Sequence, residues 1–537
     1  MENRTRSTFN LIDEHWIPCV RADGTMDTVG LRDALTQAHL LRRAHGDTPL
    51  ETAALLRLLI TLSHRVFPVR NQRDWLKFWH LHDGFDAAAI DQYFAEWRRC
   101  FDLFDAERPF LQAAHPKAPE KTINNLMLHM ASGGNATLFD HHTDEEALTL
   151  SPAQAARALI TVHSFGIGGL SGAAENFTDA PCAKGVLFFI EGDSLFETLL
   201  LNMVGSAISS KYRSNDEEEN LPYWEQNDPF RPDRDIPLSY LDYLTWPNRR
   251  IRLRSVETDD GVRVDRMWWY PGLRLSSSVR DPFKCYLHSK DKTAEPYPRA
   301  FQSDRALWRD SEAFLNLRNG RAEVPRIMEW LQSLLQEGLP ANRTLRVLAL
   351  GMAKDKAKVE FLRAEHLPLP LAYLQQDTLI EHLAQAIHRG ERAAIALKDG
   401  ITGMASRYLK PAADENTLTK DDREAIRKFS DGWRATDRYW SKLDMCFAEL
   451  MHGLADTSQQ NRNEAAERWR IQIENAAREA FAYAEDRLGD DVRSVRARAL
   501  GRNTFERRLH WELSKQPGAA DSAADSTAVL KETLNDE

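Results

Sequence analysis

Apolar residues recur at three- and four-residue intervals over much of the chain, with shorter alternating stretches between them. Residues 9–29 alternate about an Ala22-Asp23-Gly24 turn and read as a hairpin. Residues 49–67 predict an apolar helix through Leu55, Leu56, Leu59, Ile60 and Leu62, stopped by Pro68. Residues 86–104 predict another, whose aromatics Tyr93, Phe94, Trp97, Phe101 and Phe104 belong to a core. A helix starting at Pro152 carries the clearest start signal. Ser151 caps it, Pro152 suits its first position and Gln154 completes a capping box. Its apolar positions are Ala156, Leu159, Ile160 and Val162, and it runs into a glycine-rich turn at 165–172. Beyond that, 185–191 reads as a strand and 194–204 as a helix, while the polar, proline-bearing residues 209–237 read as a long surface loop.

Farther along, Ile251 and Leu253 alternate with Arg250, Arg252 and Arg254, which describes a half-buried strand with one basic face. The Asp259-Asp260-Gly261 turn suits a hairpin. A helix over 324–336 precedes a second hairpin, with arms at 345–351 and 359–362 anchored by Val347, Ala349, Val359 and Phe361. Its tip, 352–358, holds Lys354, Lys356 and Lys358, which repel one another unless they are solvated or face an anion. Pro368 and Pro370 mark a boundary, and everything after them is helical. One helix runs through Ile380, Leu383, Ile387, Ala394, Leu397, Ile401, Met404 and Tyr408. A second is predicted through Ile426, Phe429, Trp433, Trp440, Leu443, Phe447 and Leu450, with Thr436 at the missing step. Helices over 464–488 and 491–513 complete a set spaced for shallow packing. The prediction is an α+β protein: a mixed α/β domain over 1–367, a four-helix bundle over 368–515 and a disordered acidic tail over 516–537.

A chain of 537 residues exceeds a single core, which agrees with that division. With 42% hydrophobic and 28% charged residues the composition is that of an ordinary globular protein. No apolar run has the length of a membrane span, and the opening MENRTRSTFN has no signal-peptide core, so a cytoplasmic protein with no membrane contact is expected. The five cysteines are widely separated and form no CxxC pair, which speaks against a disulfide framework or a structural zinc site. A net charge of −10 excludes indiscriminate coating of nucleic acid but leaves room for a local basic patch.

Candidate chemistry concentrates in residues 132–172, where one helix joins two loops. The first carries a lone aromatic, Phe139, and the cluster Asp140-His141-His142-Thr143-Asp144-Glu145-Glu146. The second is the glycine turn. Three readings fit this stretch: ordinary surface turns, a metal site of the DHH phosphoesterase type, or a docking surface for a nucleic-acid backbone. A metal phosphoesterase needs further aspartates on upstream strands, and the pattern before Asp140 is mostly helical. There is no Walker loop, and Gly166-x-Gly168 is only part of a dinucleotide fingerprint, because Ser171 stands at its third glycine. No cofactor and no catalytic residue is implied. A DHH-like hydrolase and a helical scaffold without a nucleic-acid role remain as alternatives.

Taken in order, the segments resemble one family. They are FNLIDEHWIP near the start, RPFLQ at 108–112, the loop through Phe139, the glycine turn, LTWPNRRIRL at 244–253, ALWR at 306–309, the tip at 352–358 and the helical C-terminal part. Together they resemble the CasA family, the large subunit of the type I-E CRISPR surveillance complex Cascade. The resemblance implies a non-enzymatic protein that recognises the protospacer-adjacent motif (PAM) in double-stranded DNA, largely from the minor groove. A hairpin wedge then opens the duplex for pairing with the crRNA. It places Phe139, Asp140 and His141 in the DNA-facing loop, which also meets the subunit holding the 5′ handle of the crRNA. It places Gly166, Gly168 and Gly169 in the glycine loop, and Asp355, Lys356, Ala357 and Lys358 in the wedge. The implied partners are double-stranded target DNA, the crRNA-bearing subunits, a small-subunit dimer under the bundle, and a helicase-nuclease. The chain differs from the family pattern at Ile167, which interrupts the glycines, and at Lys356, where relatives carry glutamine. Arg266 and Arg274 are the basic candidates for the minor-groove contact, and a cysteine cluster of some relatives is absent.

Overall fold

The computed structural model describes residues 7–514 apart from 82, 129–147, 171, 173–174, 206–218, 290, 292, 317–321, 356–357 and 412–416. The chain forms two compact units, divided between Gln375 and Gln376.

The first unit is built around helix Pro49–Val66. Thr48 caps it through the Glu51 N–H and Pro49 opens it. Every residue from Leu50 to His64 is buried, so the helix is covered on all sides rather than along one stripe. Helices Pro152–Phe165, Leu195–Asn202 and Tyr240–Leu244 pack on it, as does strand Thr344–Asp355. That strand is the centre of an antiparallel sheet, flanked by the fully buried strand Leu187–Glu191 and by Lys358–Pro370. Pro368 and Pro370 lie in the outer strand, opposite Arg346 and Thr344. An edge strand tolerates proline because its outward positions need no N–H. A second sheet joins Arg249–Thr258 and Gly261–Pro271, with Glu120–Thr122 at its edge. The N-terminal hairpin pairs Ile17–Arg21 with Met26–Val29, about the expected turn.

Residues 219–237 depart from the expected surface loop. Tyr223, Trp224 and Phe230 are buried. Glu225 is buried too, held by Arg65 at 2.7 Å and by the Tyr93 hydroxyl at 2.7 Å. Arg234 donates to Asp242 at 2.6 Å in the interior. Polar composition suggested solvent, but these polar groups satisfy one another inside, and the aromatics between them supply the apolar surface.

The second unit contains the expected helices, with one correction. Long helices Asp377–Leu409, Ala435–Leu454, Gln459–Glu485 and Val492–Ser514 form the bundle. The predicted second helix is in fact two, Lys420–Asp431 and Ala435–Leu454. They are broken by Gly432 and by Arg434, whose φ of 53° is left-handed. The seam residues Trp440, Leu443, Phe447 and Leu450 are buried as their spacing implies. The first and last long helices approach closely at two glycines: a Cβ on Gly501 would lie 2.6 Å from Met404 Cβ, and one on Gly400 the same distance from Phe505 Cβ. The α+β architecture with a C-terminal helical bundle is the one observed.

Candidate nucleic-acid interface

Helix Pro152–Phe165 carries the glycine loop. Ser151 Oγ accepts the Gln154 N–H and Gln154 Oε1 accepts the Ser151 N–H, which is the capping box read from the sequence. At the other end the Gly166 N–H reaches Val162 O at 2.8 Å. A Cβ at 166 would sit 2.7 Å from that carbonyl, so the helix exit itself requires glycine. The Gly168 N–H donates to Asp179 Oδ1 at 2.8 Å, and Gly169 exchanges both backbone hydrogen bonds with Phe177, at 3.1 and 2.9 Å. All three amides are therefore spent within the protein. What the loop offers a partner is the absence of side chains, which permits close approach.

Under the loop lies Arg249, 1% exposed. Its guanidinium donates to the carbonyls of Ile167 at 2.9 Å and Thr178 at 2.8 Å, and sits 4.6 Å from the centre of the Phe177 ring. Burial lowers its pKa from the usual arginine value, and the nearby Asp179 carboxylate opposes that shift. Arg249 was missed among the candidate residues, although the alternation contained it: it shares parity with the inward Ile251 and Leu253.

Asp179 joins the loop to the hairpin. Besides the Gly168 N–H, its carboxylate receives Lys354 Nζ at 2.9 and 3.1 Å and Lys184 Nζ at 3.0 Å. Burial pushes the carboxyl pKa up, but the amide and the two ammonium groups outweigh it, and the net shift is downward. Nothing in the sequence near position 179 signals this role.

The hairpin is longer than its alternating pattern predicts, and its tip is shorter. Its strands are Thr344–Asp355 and Lys358–Pro370, so Met352 and Ala353 are buried strand residues paired with Leu362 and Phe361. Lys354 pairs with Val359, and its side chain is 12% exposed against Asp179. One of the three lysines thus has its anion within the protein. Asp355 and Lys358 are exposed at the end, and Lys356 and Ala357 lie outside the described residues. Val347 and Ala349 are buried, whereas Val359 and Phe361 are half-buried.

The arginine stripe is used internally. Arg250 lies over the Phe230 ring at 3.6 Å, Arg252 donates to the carbonyls of Asp105 and Ala106 at 3.1 Å, and Arg254 Nε donates to Asp265 at 3.0 Å. Arg266 faces Arg254 in register, is exposed, and stands 3.8 Å from Glu120. Arg274 is exposed and has no partner among the described residues. It follows Leu273, whose carbonyl accepts from Asn248 Nδ2 at 3.4 Å, so its backbone lies beside the corner that carries Arg249. Arg266 therefore lies within strand Gly261–Pro271, and Arg274 lies beyond its end.

Phe139, Asp140 and His141, with the rest of the acidic and histidine cluster, fall in 129–147, outside the described residues. Among the described residues no group of three or more His, Cys, Asp or Glu is placed to hold a metal ion. Among them, too, no helix is long and apolar enough to cross a membrane. The five cysteines are free thiols, four of them buried. The described residues offer steric access at the glycines and exposed cations at Arg274 and Lys358, features that suit a nucleic-acid backbone.

Known proteins are similar to this chain in sequence and in fold. Residues 10–480 match the family model of the CRISPR-associated protein Cse1. The chain is 33% identical over 520 residues to the CRISPR-associated protein CasA/Cse1 of Thermus thermophilus, covering 93% of this chain and 97% of the relative. Its fold matches the crystal structure of Thermus thermophilus CasA with a TM-score of 0.77 at 30% identity, over 94% of this chain and 100% of that one. Cse1 from Acidimicrobium ferrooxidans shares the fold with a TM-score of 0.78 at 24% identity, over 95% and 99% of the two chains. The chain belongs to the CasA/Cse1 family, the large subunit of the type I-E Cascade complex.

Proposed function

We propose that this subunit recognises the PAM in double-stranded DNA, wedges the duplex open for crRNA pairing and helps recruit the helicase-nuclease, acting in the cytoplasm within Cascade. The observation that carries the reading is the long hairpin. Its base is buried in a three-stranded sheet, and its exposed end carries Asp355 and Lys358 next in sequence to Lys356 and Ala357. A tip rooted this way resists bending when it meets a duplex. Gly166, Gly168 and Gly169 give the backbone close access, and Arg274 and Arg266 are the basic groups available for the minor groove. Phe139, with Asp140 and His141, contacts DNA and anchors the subunit to the crRNA-handle subunit, since a lone aromatic in a polar stretch of sequence suits an interface anchor. The bundle packs on the small-subunit dimer.

Lysines are flexible point charges, less suited than arginine to planar contacts with base edges. The tip is accordingly assigned to strand separation rather than base reading. Replacing Lys356 and Lys358 by alanine in the assembled complex should weaken binding to all targets alike. The slope of log affinity against log salt should fall by roughly one to two. A panel of duplexes covering every PAM variant tests this. Affinity lost for one base identity at one position would make Lys356 a reader, and unchanged binding throughout would remove the tip from the mechanism.

A further inference from the structure

The glycine loop and the hairpin meet at a single carboxylate. Asp179 Oδ1 accepts both the Gly168 N–H at 2.8 Å and Lys354 Nζ at 2.9 Å, the lysine coming from 175 residues away in sequence and reaching Oδ2 as well at 3.1 Å. Lys354 stands one residue before Asp355, at the root of the tip, where the strand pairing shifts register between Ala353 and Lys354. Such a bulge re-aims a side chain and bends the strand. Here it coincides with the residue that reaches Asp179. Lys184 adds a second ammonium on Oδ2 at 3.0 Å. Charge-assisted hydrogen bonds are the stronger kind, and this set is partly shielded from water.

We infer that Asp179 is a positioning residue that locks the glycine loop to the hairpin root, so that the loop meeting the DNA and the tip opening it move as one body. The inference rests on the proposed reading of those two elements as DNA-contacting and duplex-opening. A loop that binds while the tip pivots freely would hold DNA without separating it. With the carboxylate in place, the position of the captured duplex fixes the position of the wedge. Asp179 contacts neither strand in this scheme, and it acts through Gly168 and Lys354.

The test uses the assembled complex with Asp179→Asn, Lys354→Met, the two combined, and Lys354→Arg. Asparagine keeps an acceptor for the Gly168 N–H while removing the charge that holds Lys354. Capture is measured on a duplex with a cognate motif but no match to the crRNA. Opening is measured by 2-aminopurine fluorescence at the first base pairs of a matched target. The expected result is capture within about twofold of wild type and opening slowed about tenfold in each single variant, with no further loss in the double. Lys354→Arg should keep opening close to wild type. A target with those first pairs already mismatched should bring the slow variants back to the wild-type rate, which a merely damaged fold would not do. Equal losses in capture and opening, or no rescue by the mismatched target, would overturn the inference. So would wild-type opening in Asp179→Asn. A wild-type complex that opens no duplex would instead overturn the reading of the hairpin itself, and the inference with it.

Discussion

The two units handle charge in opposite ways. In the first, alongside exposed pairs such as Arg32 with Asp91 and Arg98 with Asp13, several guanidinium groups donate to loop carbonyls. Arg108 donates to Trp224 O and Gln226 O, Arg234 to Pro229 O, Arg249 to Ile167 O and Arg157 to Trp16 O. Lys284 is buried with its Nζ on Pro181 O at 2.6 Å, and burial lowers its pKa from the usual lysine value. In the bundle, the arginines that bond carbonyls do so at helix ends, as Arg493 does at Leu409 O and Arg462 at Asp456 O. Others, such as Arg438, Arg468, Arg470 and Arg478, pair with glutamates along exposed faces. The difference follows from backbone accounting. A helix satisfies its own carbonyls except in its last turn, whereas irregular chain folded into an interior leaves carbonyls that need donors. Long forked side chains supply them, several at a time.

The sharpest way to break this comparison is to remove one charge from the first unit and one large side chain from the second. Asp281 accepts from Arg57 at 2.9 Å and from the Tyr243 hydroxyl at 2.6 Å, with Arg57 and Asp281 only 2% and 1% exposed. Asp281→Ala leaves a buried guanidinium without its counter-charge and should cost about 3–5 kcal/mol. Hydrogen exchange in peptides from Pro49–Val66 is the readout. In the bundle the comparable loss should come from volume. Trp469 is 1% exposed and its Nε1 donates to Ala386 O at 2.9 Å, so Trp469→Ala should also cost about 3–5 kcal/mol, read in peptides from Gln459–Glu485. A loss under about 1 kcal/mol for Asp281→Ala would mean the inward charges of the first unit carry little.

Acid should separate the units next. His64 and His163 are buried in the first unit, and burial pulls both down to about 4. An unfolded histidine titrates near 6.5, so between that pH and about 4 the unfolded chain takes up protons that the folded chain refuses. Stability is therefore complete above about pH 6.5 and declines as pH falls toward 4. By pH 5 each histidine removes roughly 2 kcal/mol. The bundle's histidines, His382, His388, His452 and His510, are exposed or half-buried. Urea titrations at pH 7 and pH 5, followed by exchange in peptides of each unit, should show the larger fall in the first. An equal fall in both would assign acid sensitivity to something other than these two side chains.

The same contrast explains what could be read from the chain. Local signals were sufficient where one helix turn decides the outcome, as at Ser151, Pro152 and Gln154. They were also sufficient for the bundle seam through Trp440, Leu443 and Phe447. The break before Ala435 was hidden because Ile426, Phe429, Trp433 and Trp440 continue in step across it, and the left-handed conformation of Arg434 leaves no mark in its side chain. Lys354, Lys356 and Lys358 look alike in sequence, and only Asp179, 175 residues away, sets Lys354 apart. The burial of Tyr223, Trp224, Glu225, Phe230 and Arg234 within 219–237 was hidden for a related reason. Their charges are matched by Arg65, Tyr93 and Asp242, partners that composition cannot supply. Much of the candidate interface has this character, with its internal partners contributed from distant segments.

The smallest expected effect sharpens the comparison from the bundle side. Glu474 sits between Arg470, at 3.0 Å, and Arg478, at 2.7 Å, one helical turn away in each direction. In geometry it is as well placed as Asp281, and it touches two arginines rather than one. Both of those arginines keep another carboxylate when it is removed, since Arg470 also holds Glu467 at 2.7 Å and Arg478 also holds Glu506 at 3.2 Å. All five groups reach solvent, where water and counter-ions replace a lost partner at little cost. Alanine is also a slightly better helix former than glutamate. Glu474→Ala should therefore change bundle stability by no more than about 0.5 kcal/mol, and the change should shrink further in 1 M salt. Urea unfolding followed by exchange in peptides from Gln459–Glu485 checks it. A loss above about 1.5 kcal/mol would show the glutamate and arginine row acting as a coupled network. Ion pairs would then matter as much on the surface of the bundle as in the interior of the first unit, and distance from solvent would not be what separates the two.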